Sequence, residues 1–387
     1  MYHYLPRNRM LGAVLMLLAA LSPLTAAAKE VTDLRGRTVT VPDAPATVAI
    51  DDGRFLLALA LIDPDPISQL AAWPHDVSRL GEVYSQRMID AFPALETLPS
   101  VASSAESFDM ESMLAAEPDV AVVSLSRGPT DAQVATLESA GIPVVFIDFF
   151  IDPFAHQGKS LELLAELTGN QAQAQDYLAL RDAHLARISQ RLADAENAAE
   201  PSVFMEAHAG ITRDCCFSPG SGGVGDYIDF AGGHNIGADV LEKASGKLNL
   251  EYIIAADPDV YIATGGPDLA RSGGLTLGGG YAEDEARAAL ANMAERNGIA
   301  ELAAVAEGRV HGLAHQLLNS PLDIVAVEAL AQWLHPTLFA EIDPAATLAQ
   351  INQRFLAVPY TGTGWVSLEA SADAEPDDVA ESDNAAQ

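Results

Sequence analysis

The chain has 387 residues, with 54 acidic against 21 basic side chains for a net charge of −33; 49% of it is apolar and only 6% aromatic. At roughly 150 residues per domain, that length predicts two or three domains with ample cores. Such a surface repels phosphate polyanions and its few bases do not cluster, which excludes nucleic-acid binding as a primary role; two cysteines exclude a disulfide-dense scaffold.

Arg7 and Arg9 precede an apolar run at 10–21, and small residues end the stretch at Ala26, Ala27 and Ala28. A basic start, a short apolar segment and an A-x-A site predict a secretory signal peptide over 1–28, cleaved before Lys29. The mature chain is therefore expected outside the cytoplasm, in a bacterial periplasm. Beyond residue 28 no apolar run approaches the roughly 20 residues of a membrane helix.

Short apolar runs at 47–50, 66–71, 120–125 and 143–148 predict strands with helices between them, and 202–207, 260–263 and 309–313 repeat the pattern. Alternation of this kind implies α/β lobes whose mainly parallel sheets are covered on both faces. Between the two halves, 153–199 reads as helical throughout, broken at Thr168, Gly169 and Asn170. Its second part, 171–195, would be about 37 Å long at 1.5 Å per residue. The expected organisation is a lobe at 29–152, a helical linker at 153–199 and a second lobe at 200–368. The last 19 residues, 369–387, hold seven acids and no base, and such a tail is expected to be disordered.

An internal repeat supports two lobes. Residues 108–122 (FDMESMLAAEPDVAV) and 248–262 (LNLEYIIAADPDVYI) share six of fifteen positions at an offset of 140. Each copy reads as a short helix opened near Glu111 or Glu251, stopped at Pro118 or Pro258, and followed by a buried strand. A carboxylate in the first turn of a helix is favoured by the helix dipole, which is reason enough for one glutamate. Two at equivalent places suggest a shared task.

In this order the repeat, the opening VTDLRGRTVTVP at 31–42, GIPVV at 141–145, AGGHNI at 231–236, VAEGRVHG at 305–312, Asn319-Ser320-Pro321 and AQWLHP at 331–336 are similar to one family. The chain resembles the periplasmic solute-binding proteins of iron-siderophore, haem and vitamin B12 ABC importers, the class with one long helix between two Rossmann-like lobes. The resemblance spans about 31–368. It implies a non-enzymatic, monomeric carrier, without a cofactor of its own, that hands its solute to a dimeric permease driven by an ATPase. It also implies that Glu111 and Glu251, one on each lobe, dock on permease arginines.

Ligands of parallel α/β sheets bind beyond the carboxyl ends of the strands. The loops expected to face the cleft are 51–55, 73–84, 124–128, 149–152, 206–217, 265–277 and 314–321. They gather scarce residue types: Arg54, Arg127, Arg213 and Arg271, with Trp73, His75, Tyr84, His208, His315 and Gln316. Of these, Arg54, Trp73, Tyr84, Arg127, His208, Arg213, His315 and Gln316 are the candidate ligand contacts. Arginine suits an anionic ferric chelate, because it stays charged and binds carboxylate or catecholate oxygens in pairs. Iron(III)-siderophore leads by family analogy, with haem, cobalamin, and nickel or another divalent metal as alternatives, and an exported enzyme as a distant one. Tyr84 or a loop histidine offers an axial ligand for haem iron. His311 and His315 stand four apart, but on a strand that is roughly 13 Å, so His311 is expected to be structural and His315 to touch ligand.

Cys215 and Cys216 are adjacent. A vicinal disulfide, two thiolates on a soft metal, and two reduced or buried thiols all remain open. The run from Gly220 to Gly225 spells G-x-G-x-x-G without the direct strand-to-helix context of a dinucleotide site, and it is expected to be a flexible cleft loop before a helix at 226–231. Ser221 lacks the G-x-S-x-G spacing of a hydrolase nucleophile.

Overall fold

The structure, a computed structural model, describes Met1 and residues 27–101, 108–195, 199–212 and 215–368. Most of the expected signal peptide (2–26), Arg213 and the acidic tail lie outside the described residues.

The chain enters through an antiparallel hairpin, β1 (Ala28–Thr32) and β2 (Thr38–Pro42). Next come β3 (Val48–Ile50), α1 (Gly53–Ile62), β4 (Leu70–Ala72), α2 (Glu82–Ala91), α3 (Met110–Ala116), β5 (Val120–Ser124), α4 (Asp131–Ser139) and β6 (Val144–Ile147). These make a sheet of order β4-β3-β5-β6, parallel throughout. Helices α5 (Pro153–Thr168) and α6 (Gln171–Asp194) follow. The second half runs β7 (Ser202–Glu206), β8 (Phe217–Pro219), α7 (Gly225–Phe230), β9 (His234–Asn235), β10 (Ser245–Lys247), α8 (Leu250–Ala256) and β11 (Val260–Gly265). It ends with α9 (Glu283–Ala294), α10 (Ala303–Ala306), β12 (Val310–Ala314), α11 (His315–Leu318), α12 (Asp323–Leu334), α13 (Pro344–Arg354) and β13 (Trp365–Ser367). Its sheet has the order β13-β12-β11-β7-β9, parallel except at the edge strand β13. The fold is thus two α/β lobes with mainly parallel sheets, and one long helix stands between them.

Every residue of β5, β6 and β11 is buried, as strands covered on both faces require. One strand differs from expectation. Pro64 and Pro66 lack N–H donors, and 65–70 closes as turns, Ser68 N–H on Asp65 O and Leu70 N–H on Ile67 O; pairing therefore begins only at Leu70.

Both copies of the repeat fold as one unit. The Asp109 carboxylate accepts the N–H of Ser112 at 3.0 Å, and the Asn249 side chain accepts that of Glu251 at 2.8 Å. Each seven-residue helix ends on an acid in the left-handed region, Glu117 (φ 44°) or Asp257 (φ 42°), and the proline after it forbids a further turn. The next residue pins the new strand to its neighbour: Asp119 accepts the N–H groups of Ala46 and Thr47, and Asp259 accepts the backbone N–H and the hydroxyl O–H of Ser202. The carboxylates of Glu111 and Glu251 take no part in this and stand exposed in the first turns of α3 and α8.

Gly169 (φ 80°) closes α5 with its N–H on Ala165 O, where the linker was expected to break. Helix α6 then runs 24 residues, about 36 Å at 1.5 Å per residue. It is clamped to the second lobe by buried polar groups. Arg181 Nε donates to Asp323 Oδ1 at 2.9 Å, its Nη2 donates to Oδ2 at 2.6 Å, and the Tyr177 hydroxyl donates to Pro321 O. The Tyr227 hydroxyl adds a bond to Leu318 O at 2.8 Å, and Gln157 Nε2 from α5 donates to that hydroxyl at 2.8 Å. Direct lobe–lobe contacts complete the seam. Gly81 (φ 114°) and Gly279 approach so closely that a Cβ on either would collide with backbone of the opposite segment, and Ala357 N–H donates to Ala60 O at 2.8 Å.

Candidate functional site

A cavity of about 570 Å³ opens between the lobes. The first lobe contributes Arg54 after β3, Arg79 after β4, Ser126 and Arg127 after β5, and Phe150 after β6. The second contributes His208 and Ile211 after β7, Asp268 and Leu269 after β11, and His315, Gln316 and Asn319 after β12. Each follows the carboxyl end of a strand, the place parallel α/β sheets offer for binding. All lie in the loops expected from the sequence.

The arginines differ in how free they are. Arg54 Nε donates to Asp52 Oδ1 at 2.8 Å, and Nη2 donates to Oδ2. Burial alone would raise the Asp52 carboxyl, but the Arg54 guanidinium outweighs it and holds that group below its usual value. Arg54 therefore carries its own counter-ion. Arg79 leans on Asp76 at 3.4 Å. Arg127 is exposed and meets no acid among the described residues, so its charge is open to a ligand.

The imidazoles are arranged by one threonine. Thr264, fully buried at the end of β11, accepts the backbone N–H of His208 at 3.0 Å, and its hydroxyl lies 3.0 Å from His315 Nδ1. This holds His208 in the left-handed region (φ 52°) and brings the two rings to 4.0 Å between centroids. Burial, followed by His208 and Arg54, pushes His315 well below 6.5; burial, opposed by Asp268, lowers His208. Both rings are consequently neutral at pH 7 and keep nitrogen lone pairs for a metal or a hydrogen-bond donor. Asn319 adds a carboxamide that is 5% exposed and whose buried Oδ1 has no hydrogen-bond partner among the described residues. Sequence reading did not single out Arg79, Thr264 or Asn319. Asn319 belonged to a quoted motif, and Arg79 lay in an expected loop.

Other expectations need correction. Trp73 and Tyr84 do not line the cavity. Trp73 is 3% exposed, donates Nε1–H to Leu95 O at 3.0 Å and stacks on His75. Tyr84 is buried in the lobe–lobe seam against Tyr360, with ring centroids 5.6 Å apart. Large rings in an alanine-rich chain went into cores that small residues leave unfilled. Arg271 is exposed at the end of a short helical turn away from the cavity. The glycine run does not form the cleft wall either: Gly220 N–H donates to Ala244 O at 3.0 Å, and Asn235 Nδ2 donates to Gly220 O at 3.0 Å. Arg213 lies outside the described residues. His311 is structural as expected, stacked on Trp333 at 4.5 Å. Cys215 and Cys216 are joined as a vicinal disulfide.

Among the described residues no helix is long and apolar enough to cross a membrane. The chain matches the family profile described as periplasmic binding protein over residues 59–317, about two thirds of its length. It is 30% identical over 161 residues to a protein named cobalamin-binding protein from Halobacterium salinarum; that match covers 40% of this chain and 40% of the relative's length. The TroA-like periplasmic binding protein FepB from Veillonella parvula superposes with a TM-score of 0.78 at 24% identity, covering 88% of this chain and 99% of that one. A periplasmic heme binding protein from Pseudomonas aeruginosa gives 0.55 at 20% identity, covering 84% and 98%. MolA from Haemophilus influenzae, bound to molybdate, gives 0.65 at 20% identity, covering 86% and 99%. With two α/β lobes, a long helix between them and a cavity at their strand ends, the chain belongs to the periplasmic binding protein family.

Proposed function

We propose that the chain is the capture component of an ABC importer. Exported by the signal peptide at 1–28, it takes an anionic metal chelate, an iron(III)-siderophore, into the cleft between lobes at 29–152 and 200–368. It then hands the solute to a permease dimer driven by its ATPase. The observation that carries this reading is one cavity pairing arginines from the first lobe (Arg54, Arg79, Arg127) with neutral imidazoles from the second (His208, His315). Guanidinium binds carboxylate or catecholate oxygens in forked geometry, and neutral imidazole suits a metal centre with room for a ligand. Glu111 and Glu251 are the docking acids; exposed ion pairs of this sort contribute about 0–1 kcal/mol each and set register more than strength.

A corrinoid is the second reading. The Halobacterium relatives are named for cobalamin, and the carboxamides rimming a corrin ring would offer hydrogen-bond donors and acceptors to the polar side chains of the second wall, His208, Asp268, His315 and Gln316. Calorimetric titration against ferric hydroxamate, catecholate and carboxylate siderophores, cobalamin, haem and bare divalent metals separates the readings. A ferric siderophore bound at about 1 μM or tighter is the expected result. Binding of cobalamin alone moves the assignment to the corrinoid, haem alone moves it to haem, and saturation by bare metal alone removes the chelate.

A further inference from the structure

The end of β7 gathers three groups of metal-binding type that the solute cavity does not use. A Glu206 carboxylate oxygen and the sulfurs of Cys215 and Cys216 all lie within 4.8 Å of one another. Glu206 is 3% exposed, Cys216 1%, and Cys215 half-buried. The carboxylate is firmly positioned. Arg296 Nη1 donates to Oε1 at 2.9 Å, Nη2 donates to Oε2, and the Tyr261 hydroxyl donates to Oε2 at 2.7 Å. Oε1 keeps a lone pair on the side of Cys215, whose sulfur is 4.0 Å away.

We propose that, once the disulfide is reduced, Cys215, Cys216 and Glu206 bind one thiophilic divalent cation. Charge supports this ion class. Two thiols beside the Glu206–Arg296 ion pair are neutral overall. A divalent cation that displaces both thiol protons, M²⁺ + 2 RSH → M(SR)₂ + 2 H⁺, leaves the buried cluster neutral again, so loading adds no uncompensated charge. Sulfur donors select soft cations, and Arg296 already neutralises the one oxygen donor, which disfavours magnesium or calcium. The bonds from Arg296 and Tyr261 fix the carboxylate as outer-shell partners do in metal sites. Oxidation closes the site: the two sulfurs give up two electrons to a disulfide oxidant, bond to each other, and cease to be thiolates. A dithiol or phosphine reductant reopens it.

The test uses cadmium as probe on the mature protein, in oxidised and reduced forms, the reductant being removed under anaerobic conditions. The thiolate-to-cadmium charge-transfer absorption reports the site, since surface carboxylates give no such band. Reduced protein should saturate at one equivalent, and oxidised protein should show no band, a control that needs no substitution. The Cys215→Ser/Cys216→Ser double variant should also show none, and Glu206→Gln should bind about tenfold more weakly or worse. No band from reduced protein, an equal band from the oxidised form, or unchanged affinity in Glu206→Gln would each overturn the assignment.

Discussion

His311 offers a sharp test of how this interior handles charge. It lies in β12, 8% exposed, with its ring stacked on Trp333 at an interplanar angle of 7° and Nδ1 2.8 Å from Ser367 Oγ. Burial, then Arg309, pushes it from 6.5 down to about 3. Between those values the folded ring stays neutral while the unfolded chain takes up a proton. The unfolded state then binds more protons, so stability is full above 6.5 and is lost progressively as pH falls toward 3. At 1.36 kcal/mol per unit, acidifying from pH ~7.5 to pH ~4.5 should remove about 3 kcal/mol through this residue alone. Other groups titrate as well, and a comparison isolates His311: His311→Phe keeps a ring against Trp333 and cannot be protonated. Urea denaturation of both proteins at both pH values should show the variant losing about 3 kcal/mol less than the parent. Parallel losses would refute the buried neutral imidazole.

Breaking the Arg181–Asp323 pair from one side, as Arg181→Met or Asp323→Leu, should cost about 3–5 kcal/mol in urea denaturation, and the double variant should recover most of it, since a lone buried charge is worse than none. Additive losses would contradict that. Glu111→Ala with Glu251→Ala should leave solute affinity intact in calorimetry while uptake by cells falls; unchanged uptake removes the docking role. Thr264→Val frees both histidines at once and should weaken solute binding by about tenfold, one charge-free hydrogen-bond set at ~1.4 kcal/mol, with little change in melting temperature. Solute binding should compact the molecule only slightly in small-angle scattering, because larger closure would shear the Gly81–Gly279 contact and the Ala357–Ala60 bond.

The strands and the linker were legible because they write their physics locally. β6 is wholly apolar and β5 and β11 open on apolar runs of four, and the linker breaks at the one glycine that closes a helix there in a left-handed turn. The repeat was legible for a related reason: a capping side chain, a proline stop and an aspartate that pins the next strand need particular residues at fixed spacing. The short strands β8, β9, β10 and β13 carry no comparable signal; Phe217–Pro219 contains a proline and Ser245–Lys247 a glycine, and both depend on partners far along the chain. At the site, strand ends foretold which loops would meet, and of the residues singled out for their scarcity Arg54, Arg127, His208, His315 and Gln316 line the cavity. The same argument failed for Trp73 and Tyr84, because a large aromatic ring is as valuable inside an alanine-rich core as at a ligand. Thr264 was invisible for the opposite reason. A threonine at the end of a strand is ordinary until two histidines from other loops arrive on it.

The two lobes contribute different chemistry, and this constrains what the cleft can hold. Cations come from the first lobe; imidazoles, amides and the Asp268 carboxylate come from the second. A bare divalent cation would meet His208, His315 and Asp268 but also Arg127, whose charge, unpaired with any acid among the described residues, opposes it. The occupant that satisfies both walls presents negative oxygens on one side and a metal or hydrogen-bond donors on the other. Thr264, by holding both imidazoles, keeps the second wall in one arrangement against which such an occupant must fit.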